Sequence, residues 1–193
     1  MRAVVERMPD PAGNQETTAL EHELATAFDT RHAIAVSSGT AALHTALAAS
    51  GVGAGDEVLV PAATVVMTVA AVVAAGAHPV FVETRPGEPF GMDITDAAAK
   101  ITPATAAILP VHLAGRTTGI HHVAGFATRT GLTLIEDACQ AQGSRDRERH
   151  AGTLGDVGCF SLKDGKLLAS GEGGYLLTDR DDIAARAAAF RSH

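Results

Sequence analysis

Apolar runs of four to six residues alternate with helix-length segments along most of this chain, and glycines repeatedly separate the two. The runs are Ala33–Val36, Glu57–Val60, Pro79–Val82, Thr105–Pro110 and Leu132–Ile135, with a later turn into GGYLLT within Gly171–Thr178. Between and around them lie segments of helical length at Thr17–Phe28, Ala41–Ser50, Val65–Ala75, Ile94–Ile101, His121–Thr130 and Asp179–Phe190. In the first of these, Leu20, Leu24 and Phe28 recur at helical spacing, and Thr18 with Glu21 reads as a capping box. Strands alternating with helices of this length predict an α/β fold with a doubly wound, mainly parallel sheet. Arg85–Gly91 and the charged Ser144–His150 read as loops.

Length and charge narrow the possibilities. The chain has 193 residues, enough for one domain with a substantial core, so residues 17–193 are expected to form that domain behind a loosely held arm at 1–16. The formal charge of −7 supplies no basic stripe and argues against nucleic acid as a partner. Met1–Asn14 is polar, broken by Pro9 and Pro11, and unlike a signal peptide. Pro61–Ala77 is apolar but short for a bilayer span. No membrane association and a cytoplasmic location are therefore expected. Cys139 and Cys159 lack the spacing of a zinc site and read as buried small apolar residues; no metal is expected. The His121-His122 pair lacks metal-ligand spacing and reads as a helix-surface pair.

In sheets of this kind, ligands sit beyond the carboxyl ends of the strands. Three polar clusters fall at such ends: Ser38–Thr40, Asp137–Gln140 and Ser161–Lys166. The first opens a helix, which suits either an anion or an ordinary helix cap. Asp137 could face a heterocyclic nitrogen or could cap a following helix. Gln140 could hydrogen-bond a ring oxygen or could lie exposed on that helix. Lys166 precedes the glycine-rich SGEGG turn, where a desolvated amine could act as a nucleophile or a solvated one could simply sit in a loop. A phosphate cup, a carboxylate and a lysine together are what a pyridoxal phosphate site requires.

The chain resembles the DegT/StrS family of sugar and aminocyclitol aminotransferases over about Thr17–His193. The resemblance rests on SSGTAAL (Ser37–Leu43), GDEVLVPAAT (Gly55–Thr64), GAHPVFVE (Gly76–Glu83), AILPVHLAG (Ala107–Gly115), LIEDACQAQGS (Leu134–Ser144), GTLGDVGCFSL (Gly152–Leu162) and KLLASGEGGYLLT (Lys166–Thr178). It implies the fold type I large domain and pyridoxal 5'-phosphate as cofactor. It also implies phosphate contacts from Gly39, Thr40 and Ser161, a ring-nitrogen partner in Asp137, a ring-oxygen partner in Gln140 and the Schiff-base lysine in Lys166. A related branch of sugar dehydratases carries histidine at the lysine position, so lysine here favours transamination.

The chain departs from the family in length, in the absence of the C-terminal small domain, in its N-terminal arm, and at Val65, where a ring-stacking aromatic is common. These departures imply a split enzyme that works with a partner chain, or as a homo- or hetero-oligomer supplying the missing half. Its substrates would be an amino-acid donor and a keto sugar, keto cyclitol or similar acceptor. Elimination, decarboxylation or retro-aldol chemistry on the same scaffold is a second reading, and a scaffold that stabilises a complete partner is a third. The resemblance assigns no role to His112 or Glu172.

Overall fold

The computed structural model describes residues 15–117 and 119–192. The expected arm at 1–16 lies almost wholly outside the described residues; of it, only Gln15 and Glu16 are seen, in the first turn of a helix. Helix α1 spans Gln15–Phe28 and leads into β1, His32–Val36. Then follow α2 (Gly39–Ala49), β2 (Glu57–Pro61), α3 (Val66–Ala74) and β3 (His78–Val82). The short strands β4 (Thr84–Arg85) and β5 (Glu88–Met92) precede α4 (Ile94–Lys100), β6 (Thr105–Ile108), α5 (Ile120–Thr130) and β7 (Thr133–Asp137). The chain continues through β8 (Arg145–Asp146), β9 (Arg149–His150), β10 (Val157–Ser161), β11 (Gly174–Thr178) and α6 (Asp181–Arg191).

Seven strands form one sheet in the order β1-β11-β10-β7-β6-β2-β3. Neighbours from β10 to β3 run parallel, whereas β11 runs antiparallel between β1 and β10. Side chains alternate across the sheet, so Val58 and Val60 join one core and Leu59 joins another. Helices α2, α3 and α6 cover the first face, and α1, α4 and α5 the second. Because both faces are covered, the strands are apolar almost throughout, as a doubly wound sheet requires.

The structure corrects several local expectations. Helix α1 already includes Gln15, so Thr18 lies inside it and does not open it. The Glu21 carboxylate instead accepts the Ala35 N–H (2.8 Å) and pairs with Arg191, tying α1 to β1 and α6. Leu24 and Phe28 are buried, while Leu20 stays partly exposed. Arg85–Gly91 is not a plain loop: Gly87, at φ +79°, lets β4 turn back into β5. Ser144–His150 is likewise a two-strand hairpin turning at Arg147, with Arg145 donating to the Glu148 carbonyl. Periodicity also gave no strand at Val157–Ser161, which is the buried centre of the sheet. Among the described residues, no helix is long and apolar enough to cross a membrane.

Candidate active site

The first cluster is built by close backbone packing. Ser38, two residues beyond β1, is extended and caps α2, its Oγ accepting the Ala41 N–H at 3.1 Å. Gly39 follows with no room for a side chain: a Cβ there would lie 2.7 Å from Cys139 Sγ and 2.8 Å from Ser161 Cβ. Gly174, opposite Ser161 in the β10–β11 ladder, is equally confined by the Ser38 carbonyl. Two glycines thus allow the ends of β1, β10 and β11 to converge. The half-buried Thr40 stands in the first turn of α2, where backbone N–H groups have no intrahelical acceptor. Ser161 Oγ accepts the Lys163 N–H at 3.3 Å, leaving its own proton free to donate. A helix start, two hydroxyls and a glycine make a donor-lined cup suited to a phosphate. Replacing Gly39 with alanine should therefore displace Ser161 or Cys139 and weaken pyridoxal phosphate binding at least tenfold, read by titrating the apoprotein.

The second cluster centres on Asp137, the last residue of β7. Its N–H donates to the Pro110 carbonyl and its carbonyl accepts the His112 N–H, each at 2.9 Å, which fixes the backbone. The carboxylate is buried. Thr68 Oγ1 donates to Oδ2 at 2.7 Å, and the Cys139 N–H donates to Oδ1 at 3.1 Å. No helix follows, so Asp137 closes a tight turn rather than capping a helix. Gln140 is in that turn also, not on a helix. Its Oε1 accepts the Ala114 N–H at 2.8 Å, leaving the amide NH2 as the end available to a ligand oxygen. Among the described residues, no basic side chain pairs with Asp137. A buried carboxylate normally requires a cation or several donors, and a protonated ring nitrogen would supply the missing one. The residues present therefore fit pyridoxal phosphate.

Lys166 lies on the loop between β10 and β11. Three backbone bonds close this loop: Leu162 N–H to Gly173 O, Asp164 N–H to Gly171 O, and Ser170 N–H to Leu162 O. The lysine shares a cavity of about 470 Å³ with Gln140, Ala114, Lys163, Asp164 and Leu167. It also acts electrostatically on Cys139: burial, then Asp137, raises that thiol far above its ordinary range, and the Lys166 charge works in the opposite direction. The structure thus gathers all six candidate residues at one end of the sheet, with no hydrogen bond from the Lys166 amine to any described residue. Val65, at the expected stacking position, is half-buried against the core. The rings of Phe160 and Tyr175 stack on each other, 4.6 Å apart, inside the α1-side core.

Three residues outside the six support this site. Glu136 points to the other face of β7 and is fully buried. It accepts from His112 Nε2 (2.7 Å) and from the N–H groups of Gly152, Leu154 and Gly155. Burial raises its pKa, but the His112 bond and the backbone donors outweigh that and leave it below the ordinary value. His112, which had no expected role, is thereby a brace behind Asp137. Thr68 also escaped sequence reasoning, although it is the single polar residue in the run Val65–Ala75. A separate cleft between β5 and α5 holds Arg85, Arg129, Glu88 and Asp93, whose charges balance. Among the described residues, no cluster of three His, Cys, Asp or Glu could hold a metal.

This sheet order, with its polar groups at the carboxyl ends of the strands, defines a fold type I large domain, the class that works with pyridoxal phosphate. The chain belongs to the DegT/DnrJ/EryC1/StrS aminotransferase family, which it matches over residues 11–193. It is 44% identical over 156 residues to the GDP-perosamine synthase of Caulobacter vibrioides, covering 81% of this chain and 42% of that protein. It is 41% identical over 155 residues to the L-glutamine:2-deoxy-scyllo-inosose aminotransferase of Streptoalloteichus tenebrarius, covering 80% of this chain and 36% of the relative. The crystal structure of NtdA from Bacillus subtilis with bound cofactor PMP superposes with a TM-score of 0.84 at 36% identity, covering 91% of this chain and 40% of NtdA. This chain thus spans less than half the length of these relatives.

Proposed function

We propose that this chain is the cofactor-holding half of a pyridoxal-phosphate-dependent aminotransferase. In this reading it moves an amino group from glutamine or glutamate to a keto sugar, keto cyclitol or related intermediate. The observation that carries the reading is the buried Asp137 carboxylate, without a basic partner among the described residues, at the same end of the sheet as a hydroxyl-lined cup and Lys166. When bound, the cofactor supplies an electron sink for charge that develops at the amino donor's α-carbon. Gly39, Thr40 and Ser161 would hold the phosphate with backbone and hydroxyl donors. Asp137 would keep a proton on the ring nitrogen and so stabilise the developing charge. The Gln140 amide would orient the ring through its oxygen. Lys166 Nζ would hold the aldehyde, then take up and return the proton lost from the donor's α-carbon.

Exposed apolar side chains support completion of the site by further polypeptide. Leu167, next to Lys166, is 85% exposed, and Val66 at the start of α3 is 70% exposed. Such a surface is normally covered. The covering polypeptide could be more of the same chain, a second copy or a separate chain, and its identity would set the acceptor specificity.

Isotope tracing tests the function. With ¹⁵N-labelled glutamate and no acceptor, the holoprotein should release one 2-oxoglutarate per site and retain the label as the amine form of the cofactor. Release of carbon dioxide or of an unsaturated acid instead would assign the site to decarboxylation or elimination and overturn the proposal.

A further inference from the structure

Thr68 is fully buried on the first turn of α3, yet its hydroxyl reaches across to another element and donates to Asp137 Oδ2 at 2.7 Å. The turn around it is otherwise apolar: Val65, Val66, Met67 and Val69. A lone hydroxyl in such a place is costly to bury without a partner, and the partner it has is the site's own carboxylate. On the opposite side, the Cys139 N–H holds Oδ1. The two donors come from different elements and grip one oxygen each. They fix the rotation of the carboxyl group about its Cβ–Cγ bond and leave one lone pair on each oxygen unused.

We infer that Thr68 is a positioning residue for the pyridine nitrogen of the cofactor, acting through Asp137. The inference rests on the reading of Asp137 as the ring-nitrogen partner. Without the Thr68 hydroxyl, the carboxylate loses the donor that holds Oδ2 and can turn toward other donors. A correctly aimed, charge-assisted bond to the ring N–H is then formed less often. The effect should be confined to ligands that carry a ring nitrogen. That selectivity separates positioning from a general packing role, since packing defects would weaken every ligand of the same shape.

The test measures dissociation constants on the intact apoprotein for two probes. One is pyridoxal phosphate; the other is its deaza analogue, in which a C–H replaces the ring nitrogen. Thr68→Val should weaken pyridoxal phosphate about tenfold, the scale of one charge-assisted hydrogen bond, and leave the analogue within about twofold. Thr68→Ser, which keeps the donor, should restore the preference. Asp137→Asn should abolish the preference by itself, and adding Thr68→Val to it should cost no further selectivity. Equal weakening of both probes, or of neither, by Thr68→Val overturns the positioning role while leaving Asp137 in place. Retention of the preference in Asp137→Asn overturns the reading of Asp137 and the inference with it. Melting temperatures report whether Thr68→Val folds. If it does not, Thr68→Ala, which removes the donor without adding bulk, takes its place with the same expected results.

Discussion

Replacing Lys166 with alanine is expected to abolish covalent retention of the cofactor. Borohydride treatment of the wild-type holoprotein should add the mass of reduced pyridoxal phosphate to the peptide carrying Lys166, and the variant should show no such adduct. The chain has only three lysines, which makes the experiment clean. Lys100 is committed to Asp96 and the Phe81 carbonyl, each within 2.8 Å. Lys163 lines the same cavity as Lys166 and is the one competitor. Lys163→Ala should therefore keep the adduct. An adduct that persists in Lys166→Ala and vanishes in Lys163→Ala would move the reactive amine by three residues. Stability should hardly change in either variant, because neither side chain is described in a hydrogen bond or ion pair. Substitutions at surface positions without such partners typically fall within about 0.5 kcal/mol.

The second large effect is on stability. Removing the Glu136 carboxylate takes the acceptor from His112 Nε2 and the Gly152 N–H, both buried, and from the half-buried N–H groups of Leu154 and Gly155. Leaving a buried donor unsatisfied costs about 1–3 kcal/mol, so losing this acceptor removes a large share of the roughly 5–15 kcal/mol that holds a typical domain together. Glu136→Ala should accordingly unfold at much lower denaturant concentration, with an unchanged slope. The pH dependence follows from the same group. Its folded pKa lies below the ordinary 4.5, so its contribution is complete above that value and is lost as pH falls through the lower folded one. Chemical denaturation between pH 6 and 3 should show a steep acid limb in the wild type and a shallower one in the variant. Parallel limbs would mean that Glu136 does not drive the acid transition.

Much of this architecture was legible in the residues themselves. Strands buried on both faces are apolar runs bounded by glycine, and the runs at Glu57–Val60 and Leu132–Ile135 match β2 and β7 closely. The Glu136-Asp137 pair could be placed at the ligand side of the sheet because it ends a buried parallel strand. Other features depend on contacts between distant residues, which local periodicity does not carry. Glu21 looked like half of a capping box, but its carboxylate serves the Ala35 N–H. Glu136 and Asp137 are adjacent carboxylates, and nothing in the pair says which faces the cofactor side. Only the pleat of β7 separates them, giving one to the Gly152–Gly155 turn and the other to Thr68. The two-residue hairpin strands were too short to show alternation.

The placement of β11 has a consequence for how the chain reaches its fold. Strand β1 is made early, but its sheet partner is β11, in the register His32 to Thr178 and Val36 to Gly174. The same strand is the partner of β10. During synthesis, β1 therefore has no neighbour until almost all of the described chain has left the ribosome. Closing so long a loop costs entropy before any pairing repays it. Until then the apolar edges of β1 and β10 are open templates for other strands. The parallel strands from β7 to β3 can assemble earlier, because all of them precede β10 and β11 in the chain. The last step to close is then the union of β1, β11 and β10, the same convergence that brings Gly39 against Ser161. A nascent chain should thus be unable to bind the cofactor until β11 has joined the sheet.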